Sequence, residues 1–210
     1  DANSDSAGAQ SSTAVSSTIN LTAVNDTPVA TAGAVLAYSE QATAAVIDAS
    51  ITLTDLDDSH IASASVSLSS GFTVGDSLNF VNQNGISGSY NAATGVLSLT
   101  GTATVAQYQT ALRSITYSSS SDDPTASSTS RTVSWTVTDA NSDSAGAQTS
   151  TAVSSTINLT AVNDTPVATA GAVLAYTEQA TAAVVDGTIT LTDLDDSHIS
   201  SASVSLSSGF

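Results

Sequence analysis

The chain has 210 residues, with nineteen acids against Arg113 and Arg131 for a formal net charge of −17. That balance excludes nucleic acid and anionic membrane surfaces as partners, because each demands a basic footprint, and it makes cations the natural counterpart. Hydrophobic residues make up 40% and charged residues only 10%, so ordinary cores can form while Ser and Thr do most of the wetting of the surface. Cysteine is absent, which removes disulfides and thiolate metal sites and leaves bound metal as a candidate stabiliser. No run of 18 apolar residues and no basic segment leading an apolar core occurs, so neither a membrane span nor a signal peptide is expected in this stretch.

The chain repeats itself. Residue 1 returns at residue 139, an offset of 139 − 1 = 138, and residues 1–72 match residues 139–210 apart from Ser11/Thr149, Ser39/Thr177, Ile47/Val185, Ala49/Gly187, Ser50/Thr188 and Ala62/Ser200. A unit of that length is too long for a solenoid turn and suits an autonomous domain, so the expectation is domains in series. The phase of the repeat divides the chain at Asn25-Asp26-Thr27-Pro28 and again at Asn163-Asp164-Thr165-Pro166. Residues 1–24 read as the closing hairpin of a preceding repeat, 25–28 as a junction and 29–162 as one complete domain. Residues 163–166 form the second junction and 167–210 the opening of the next repeat. Proline lacks an amide donor and fixes φ, so both junctions read as stiff.

Within one unit the pattern has period two almost throughout, with β-branched residues alternating with Ser and Thr. In chain order, strands are expected at 50–54 with Ile51 and Leu53 inward, at 63–68 with Ala64, Val66 and Leu68 inward, and at 72–74, 77–81 and 96–99. Residues 104–112 break the alternation: Val105, Tyr108 and Leu112 recur at helical spacing behind Thr104, which predicts a short capped helix. Further strands are expected at 114–117, at 132–138 with Val133, Trp135 and Val137 inward, and at 155–162 with Ile157 and Leu159 inward. Asp122-Asp123-Pro124 in its Ser/Thr tract reads as a solvated loop. Many short strands of this kind indicate an all-β antiparallel sandwich with one short helix per repeat.

Several motifs together resemble a known family. Leu99-Thr100-Gly101-Thr102-Ala103-Thr104, Tyr108 with Ala111-Leu112, Ile115-Thr116-Tyr117, Arg131-Thr132-Val133-Ser134-Trp135-Thr136-Val137-Thr138-Asp139 and Ala161-Val162-Asn163-Asp164-Thr165-Pro166-Val167 resemble the cadherin-like, or bacterial immunoglobulin-like, tandem repeats of giant repeats-in-toxin type bacterial surface adhesins. The resemblance implies a calcium-rigidified extender on a secreted, extracellular cell-surface or biofilm fibre. It also implies that adhesion to a receptor or polysaccharide is carried by other domains. The unit's length, extra strands and helix depart from animal cadherins, so a homophilic role is not carried over.

Calcium (Ca2+) takes six to eight oxygens from carboxylates, amides and carbonyls. Each unit offers such a set: Asn25, Asp26, Glu40, Asp55, Asp57 and Asp58 in one, Asn163, Asp164, Glu178, Asp193, Asp195 and Asp196 in the next. Of the eleven acids in residues 1–138, eight precede residue 59, an unevenness that solubility alone does not require. If the first strand runs away from the junction and the strand ending at Thr54 returns, Asp55 to Asp58 come to lie beside Asp26. The final hairpin then turns at the same end and brings Asp139, Asn141 and Asp143 to that rim. Their Asp-x-Asn-x-Asp spacing suits a calcium loop, although Ser144 stands where such a loop has Gly and no Glu occupies the twelfth position. An interdomain calcium cluster carrying Asp26, Glu40, Asp55 and Asp57 is therefore expected; the plain alternative is that Asx residues after strands only form turns.

Other constellations carry less. Asp58-Ser59-His60 holds three triad residue types, but neighbours in sequence cannot converge, and no phosphate loop, zinc set or separated acid pair supports catalysis. Trp135 reads as core, and Asn20-Leu21-Thr22 and Asn25-Asp26-Thr27 match the glycosylation sequon as Thr-rich strands do by chance. The expectation is a non-enzymatic spacer whose partners are neighbouring repeats of the same chain and other copies in a fibre. The alternatives are a carbohydrate-binding sandwich module, which needs exposed aromatics, and a subunit of an extracellular filament.

Overall fold

The computed structural model describes residues 1–142 and 144–208. Its elements in chain order are β1 (Val29–Thr31), β2 (Val35–Ser39), β3 (Ala45–Val46), β4 (Thr52–Thr54), β5 (His60–Ser70), β6 (Asp76–Asn79), β7 (Ser87–Asn91), β8 (Val96–Thr104), α1 (Val105–Arg113), β9 (Thr116–Ser119), β10 (Ser130–Asp139), β11 (Val153–Thr160), β12 (Val167–Thr169) and β13 (Thr190–Thr192). Strands β2-β11-β10-β5-β8-β7 form a six-stranded sheet, β3-β9-β6 a three-stranded sheet, and β1-β4 and β12-β13 separate pairs. The fold is an all-β sandwich with one short helix, as the alternation requires.

Alternation sets the core directly. In β10 every second residue from Arg131 to Asp139 is buried, and Trp135 is fully buried at its centre. Leu97 and Leu99 of β8, Val66 of β5 and Ile157 of β11 complete one inner face, while Leu78 of β6, Tyr117 of β9 and Ile47 join them in the same cluster. Tyr38 of β2 meets Tyr117 edge to face at 5.0 Å between ring centroids, the arrangement that ring quadrupoles favour. Arg131 shares the inward face of β10. It is fully buried and neutralised by Asp76 at 2.7 Å, and Tyr117 Oη donates to the same carboxylate at 2.6 Å.

The helix starts at the expected cap. Thr104 Oγ1 accepts from Gln107 N, and the Gln107 side chain returns the contact to the Thr104 amide, a reciprocal pairing that satisfies two otherwise orphaned donors. Beneath it the β5–β8 register slips between Ile61 and Ser63. Gly101 takes φ +118 there, and a Cβ would lie 2.2 Å from Gly85 O, so no other residue fits. The Tyr108 hydroxyl from α1 sits between the carbonyls of Ala62 and Gly101 and so ties the helix to the bulge.

Some strands differ from the sequence expectation. Residues 72–74 are a loop, because Gly71 and Gly75 adopt left-handed φ on either side and Asp76 Oδ2 accepts from Thr73 N. β1 is the first strand expected after Pro28, and it pairs antiparallel with β4; β2, β3 and β7 were not expected. β2 matters most, since it runs parallel to β11 with Val35 to Ser39 opposite Thr156 to Thr160. Residues 1–24 carry no strand among the described residues: the segment matching β11 finds no partner, because β10 and β2 already flank β11 itself. In the second copy, Val167 to Thr169 pair with Thr190 to Thr192 in the register that Val29 to Thr31 keep with Thr52 to Thr54.

Asp48 fastens the turns to the sheet. It is 1% exposed, and its carboxylate accepts from Gly33 N, Ala34 N, Ser50 N, Ser50 Oγ and Ser155 Oγ. Ser155 Oγ in turn accepts from Trp135 Nε1 at 3.0 Å. Burial alone would raise the Asp48 pKa, but the hydrogen bonds from Ser50, Ser155, Ala34 and Gly33 together hold it well below the ordinary carboxylate range. A folded pKa below the unfolded value of about 3.9 means that this stabilisation is complete above that value and is lost as pH falls toward the folded one. Asp48→Asn should cost roughly 2–3 kcal/mol at pH 7. Urea unfolding across the acid range should show a shallower fall in stability below about pH 4 for the variant than for the parent chain.

Candidate functional site

The antiparallel β1–β4 pair and the β10–β11 hairpin place two groups of acids at opposite ends of the sandwich. At the upstream pole, where the chain comes in through residues 25–28, Asp26 N donates to Asp57 Oδ2 at 2.9 Å. Asp57 N and Asp58 N both donate to Asp55 Oδ1, at 3.4 and 3.1 Å. Asn25 Nδ2 donates to Asp139 Oδ2 at 2.9 Å and to Gly146 O at 2.7 Å. Asp139, fully buried, also accepts from Asn141 N and Gln148 N, and Asp58 Oδ1 accepts from the amide and hydroxyl of Ser142. Thus Asn25, Asp26, Asp55, Asp57, Asp58, Asp139 and Asn141 form one connected network; Asp143 lies outside the described residues.

The loop after β10 is built by its own sequence. Asn141 takes φ 54 and Gly146 φ 108, and Asn141 Oδ1 accepts from Gly146 N at 2.6 Å. Its copy at the start of the chain, without the surrounding domain, keeps the same shape: Asn3 has φ 49 and Asn3 Oδ1 accepts from Gly8 N. Asp-x-Asn geometry of this kind is local, since short polar side chains fold back onto neighbouring amides.

Glu40 sits elsewhere. Because β2 runs parallel to β11, its end lies at the downstream pole, where the chain leaves the sandwich, and not beside Asp26 as expected. Glu40 N donates to Thr160 O at 2.9 Å and Glu40 Oε2 accepts from Val162 N at 2.8 Å. Here Asp164 N donates to Asp195 Oδ2 at 3.1 Å, and Asp195 N and Asp196 N donate to Asp193 Oδ1, repeating the upstream arrangement in the second copy. Asn163 Nδ2 donates to its neighbour's carbonyl, Asp164 O, rather than to a carboxylate of the group. Glu178, the copy of Glu40, is exposed and belongs to neither carboxylate group. Two sets of carboxylate oxygens lie within 4.8 Å of one another: Glu40, Asp122 and Asp164, and Asp193, Asp195 and Asp196. Asp122, expected in a solvated loop, thereby enters the site; its sequence context of Ser and Asp gave no signal for it.

The carboxyl shifts at the two poles come mainly from burial and from amide hydrogen bonds. Burial pushes the Asp55 carboxyl up, with the neighbouring Asp57 adding to the rise. The Asp26 amide holds Asp57 down, and the Asp164 amide does the same for Asp195. Buried oxygens without a donor are Asn25 Oδ1, Asp55 Oδ2 and Asp58 Oδ2 upstream, and Glu40 Oε1 and Asp195 Oδ1 downstream. A buried acceptor lacking a donor is costly in a folded protein, and clustered anionic and amide oxygens are the donor set of a hard divalent cation. The two sets at the downstream pole therefore have the donor chemistry and spacing that suit calcium, whereas among the described residues no three upstream carboxylates converge so closely and Asp58 bonds Ser142 instead. His60 stands apart, at the rim with Nδ1 2.8 Å from Ser59 Oγ.

No protein-family model matches the chain. A segment of 83 residues is 43% identical to Halomucin of Haloquadratum walsbyi (strain DSM 16790 / HBSQ001), covering 37% of this chain and 1% of that protein. The chain thus spans a very small fraction of the curated relative it matches.

The two kinds of polar residue should separate on mutation. Asp139→Ala removes a buried acceptor of three hydrogen bonds and should cost about 2–4 kcal/mol in urea unfolding even with chelator present. Asp57→Ala, at an exposed carboxylate, should change stability little in chelator while reducing any stabilisation by added calcium.

Proposed function

We propose that this chain is a stretch of the calcium-stiffened extender of an extracellular surface adhesin, a spacer without catalysis. The observation that carries this reading is the convergence of Glu40, Asp122 and Asp164 from separate segments at the downstream pole, beside the Asp193, Asp195 and Asp196 set, with buried oxygens of Glu40 and Asp195 left without donors. Near-identical units in series supply length, and a Pro-fixed junction beside each cluster limits bending. A cation bridging the junction acids to those of the next unit would cancel their repulsion and hold neighbouring units in one orientation. Similarity over part of the chain to a protein named as a mucin supports an extracellular setting, and the resemblance to adhesin repeats supports the role. Trp135 is fully buried and cannot present its ring to a sugar, which weighs against the carbohydrate-binding alternative.

Because calcium would bind the folded state, stability should rise with its concentration by mass action, by about 2.7 kcal/mol per site at a hundredfold excess over Kd. Thermal melts in excess calcium and in chelator read this directly. In X-ray scattering on several repeats in series, calcium should lengthen and narrow the distribution of maximum dimensions. Equal melting midpoints together with equal scattering curves would overturn the reading, and retention on a glycan column would then favour the carbohydrate-binding alternative.

A further inference from the structure

The parallel pairing of β2 with β11 has a mechanical consequence. Both strands run from the upstream to the downstream pole, with Val35 to Ser39 beside Thr156 to Thr160. Tension along the array pulls β2 from its upstream end and β11 from its downstream end. The ladder bonds between them are then loaded together in shear rather than opened one at a time. Failure of the domain begins where β11 can slide past β2, and the downstream end of that pair is where Glu40 and Asp164 stand.

Glu40 is 4% exposed, and Oε1 has no donor while Oε2 accepts from Val162 N. Carboxylate oxygens of Glu40, Asp122 and Asp164 lie within 4.8 Å of one another. They come from three places: the end of β2, the loop between β9 and β10, and the chain just beyond β11. Neither arginine can neutralise them, because Arg131 is engaged by Asp76, Pro124 O and Ser128 O and Arg113 Nε donates to Ile51 O; lysine is absent from the sequence. The loop carrying Asp122 is held at its back by those same Arg131 contacts, at 2.8 Å to Pro124 O and 2.9 Å to Ser128 O, so Asp122 is presented from an anchored support.

We infer that Glu40, Asp122 and Asp164 bind a divalent cation that staples β2 and the 120–129 loop to the outgoing chain, so that the ion strengthens the domain itself against tension. This rests on the calcium reading above but adds a ligand, Asp122, and a function distinct from stiffening the junction. Asp122 lies outside the stretch that occurs twice, so it contributes in this chain to the downstream pole alone.

The test is single-molecule force spectroscopy on the whole chain held at its two ends, with calcium or chelator, supported by thermal melts. The parent chain should unfold at higher force in calcium. Asp122→Asn should lose most of that increment and bind calcium at the downstream pole about tenfold more weakly, while Asp123→Asn behaves as the parent. All three should unfold at the same force in chelator, which shows that the fold is intact. If calcium raises the melting midpoint of Asp122→Asn and its force increment equals the parent's, the staple is wrong and the extender reading stands. If calcium changes neither melting nor force in the parent chain, both fall.

Discussion

Charge without an internal counter-charge is the constraint on which the rest of this molecule depends. Nineteen carboxylates face two guanidinium groups, one buried against Asp76 and the other bonded to the Ile51 carbonyl just before β4. The fold deals with some acids internally: Asp48 is surrounded by amides and hydroxyls, and Asp76 by Arg131 and Tyr117. Each holds together segments distant in sequence, and each has its oxygens satisfied. The polar clusters do not. Backbone amides satisfy one oxygen of Asp55, Asp58 and Glu40 and leave the other facing no donor. Gln41 Nε2 reaches Asp164 and Ser142 Oγ reaches Asp58, but neither brings a positive charge; on the proposed reading that charge is supplied by an ion.

Much of this was legible in the sequence because its causes are local. The inward row of β10 follows from strict alternation, and the helix from a Thr cap three residues ahead of Gln107. The meeting of Asp26 with the Asp55 to Asp58 turn follows from an antiparallel return after Pro28. The same alternation also places Arg131 on the row of Val133 and Trp135, a signal that a buried charge and a buried acid partner had to exist.

The unread parts depend on long-range pairing. Residues 35–39 bury little besides Tyr38, so their pattern gives no clear period, and residues 87–91 contain Gly and Ser in place of β-branched residues. Missing β2 reverses the direction in which residue 40 points along the sandwich, which is why Glu40 was grouped with the wrong pole. Asp122 was invisible for a related reason: a Ser-rich loop has no intrinsic path, and this one is positioned by Arg131 from another strand. Residues 72–74 look like a strand by composition, yet two left-handed glycines overrule propensity.

Repeat equivalence joins the two poles into a single description. Asp26, Asp55, Asp57 and Asp58 correspond to Asp164, Asp193, Asp195 and Asp196, and the same amide-to-carboxylate bonds recur in both copies. A junction between successive units therefore draws on Glu40 and Asp122 from the domain before it, Asp164 within it, and Asp193, Asp195 and Asp196 after it. The charge of these carboxylates exceeds what one divalent ion cancels, and their oxygens exceed what one ion coordinates. On the proposed reading a junction holds more than one ion. Occupancy of the first would lower the local negative potential and weaken attraction for the next, so a junction would fill over a range of calcium concentration rather than in one step.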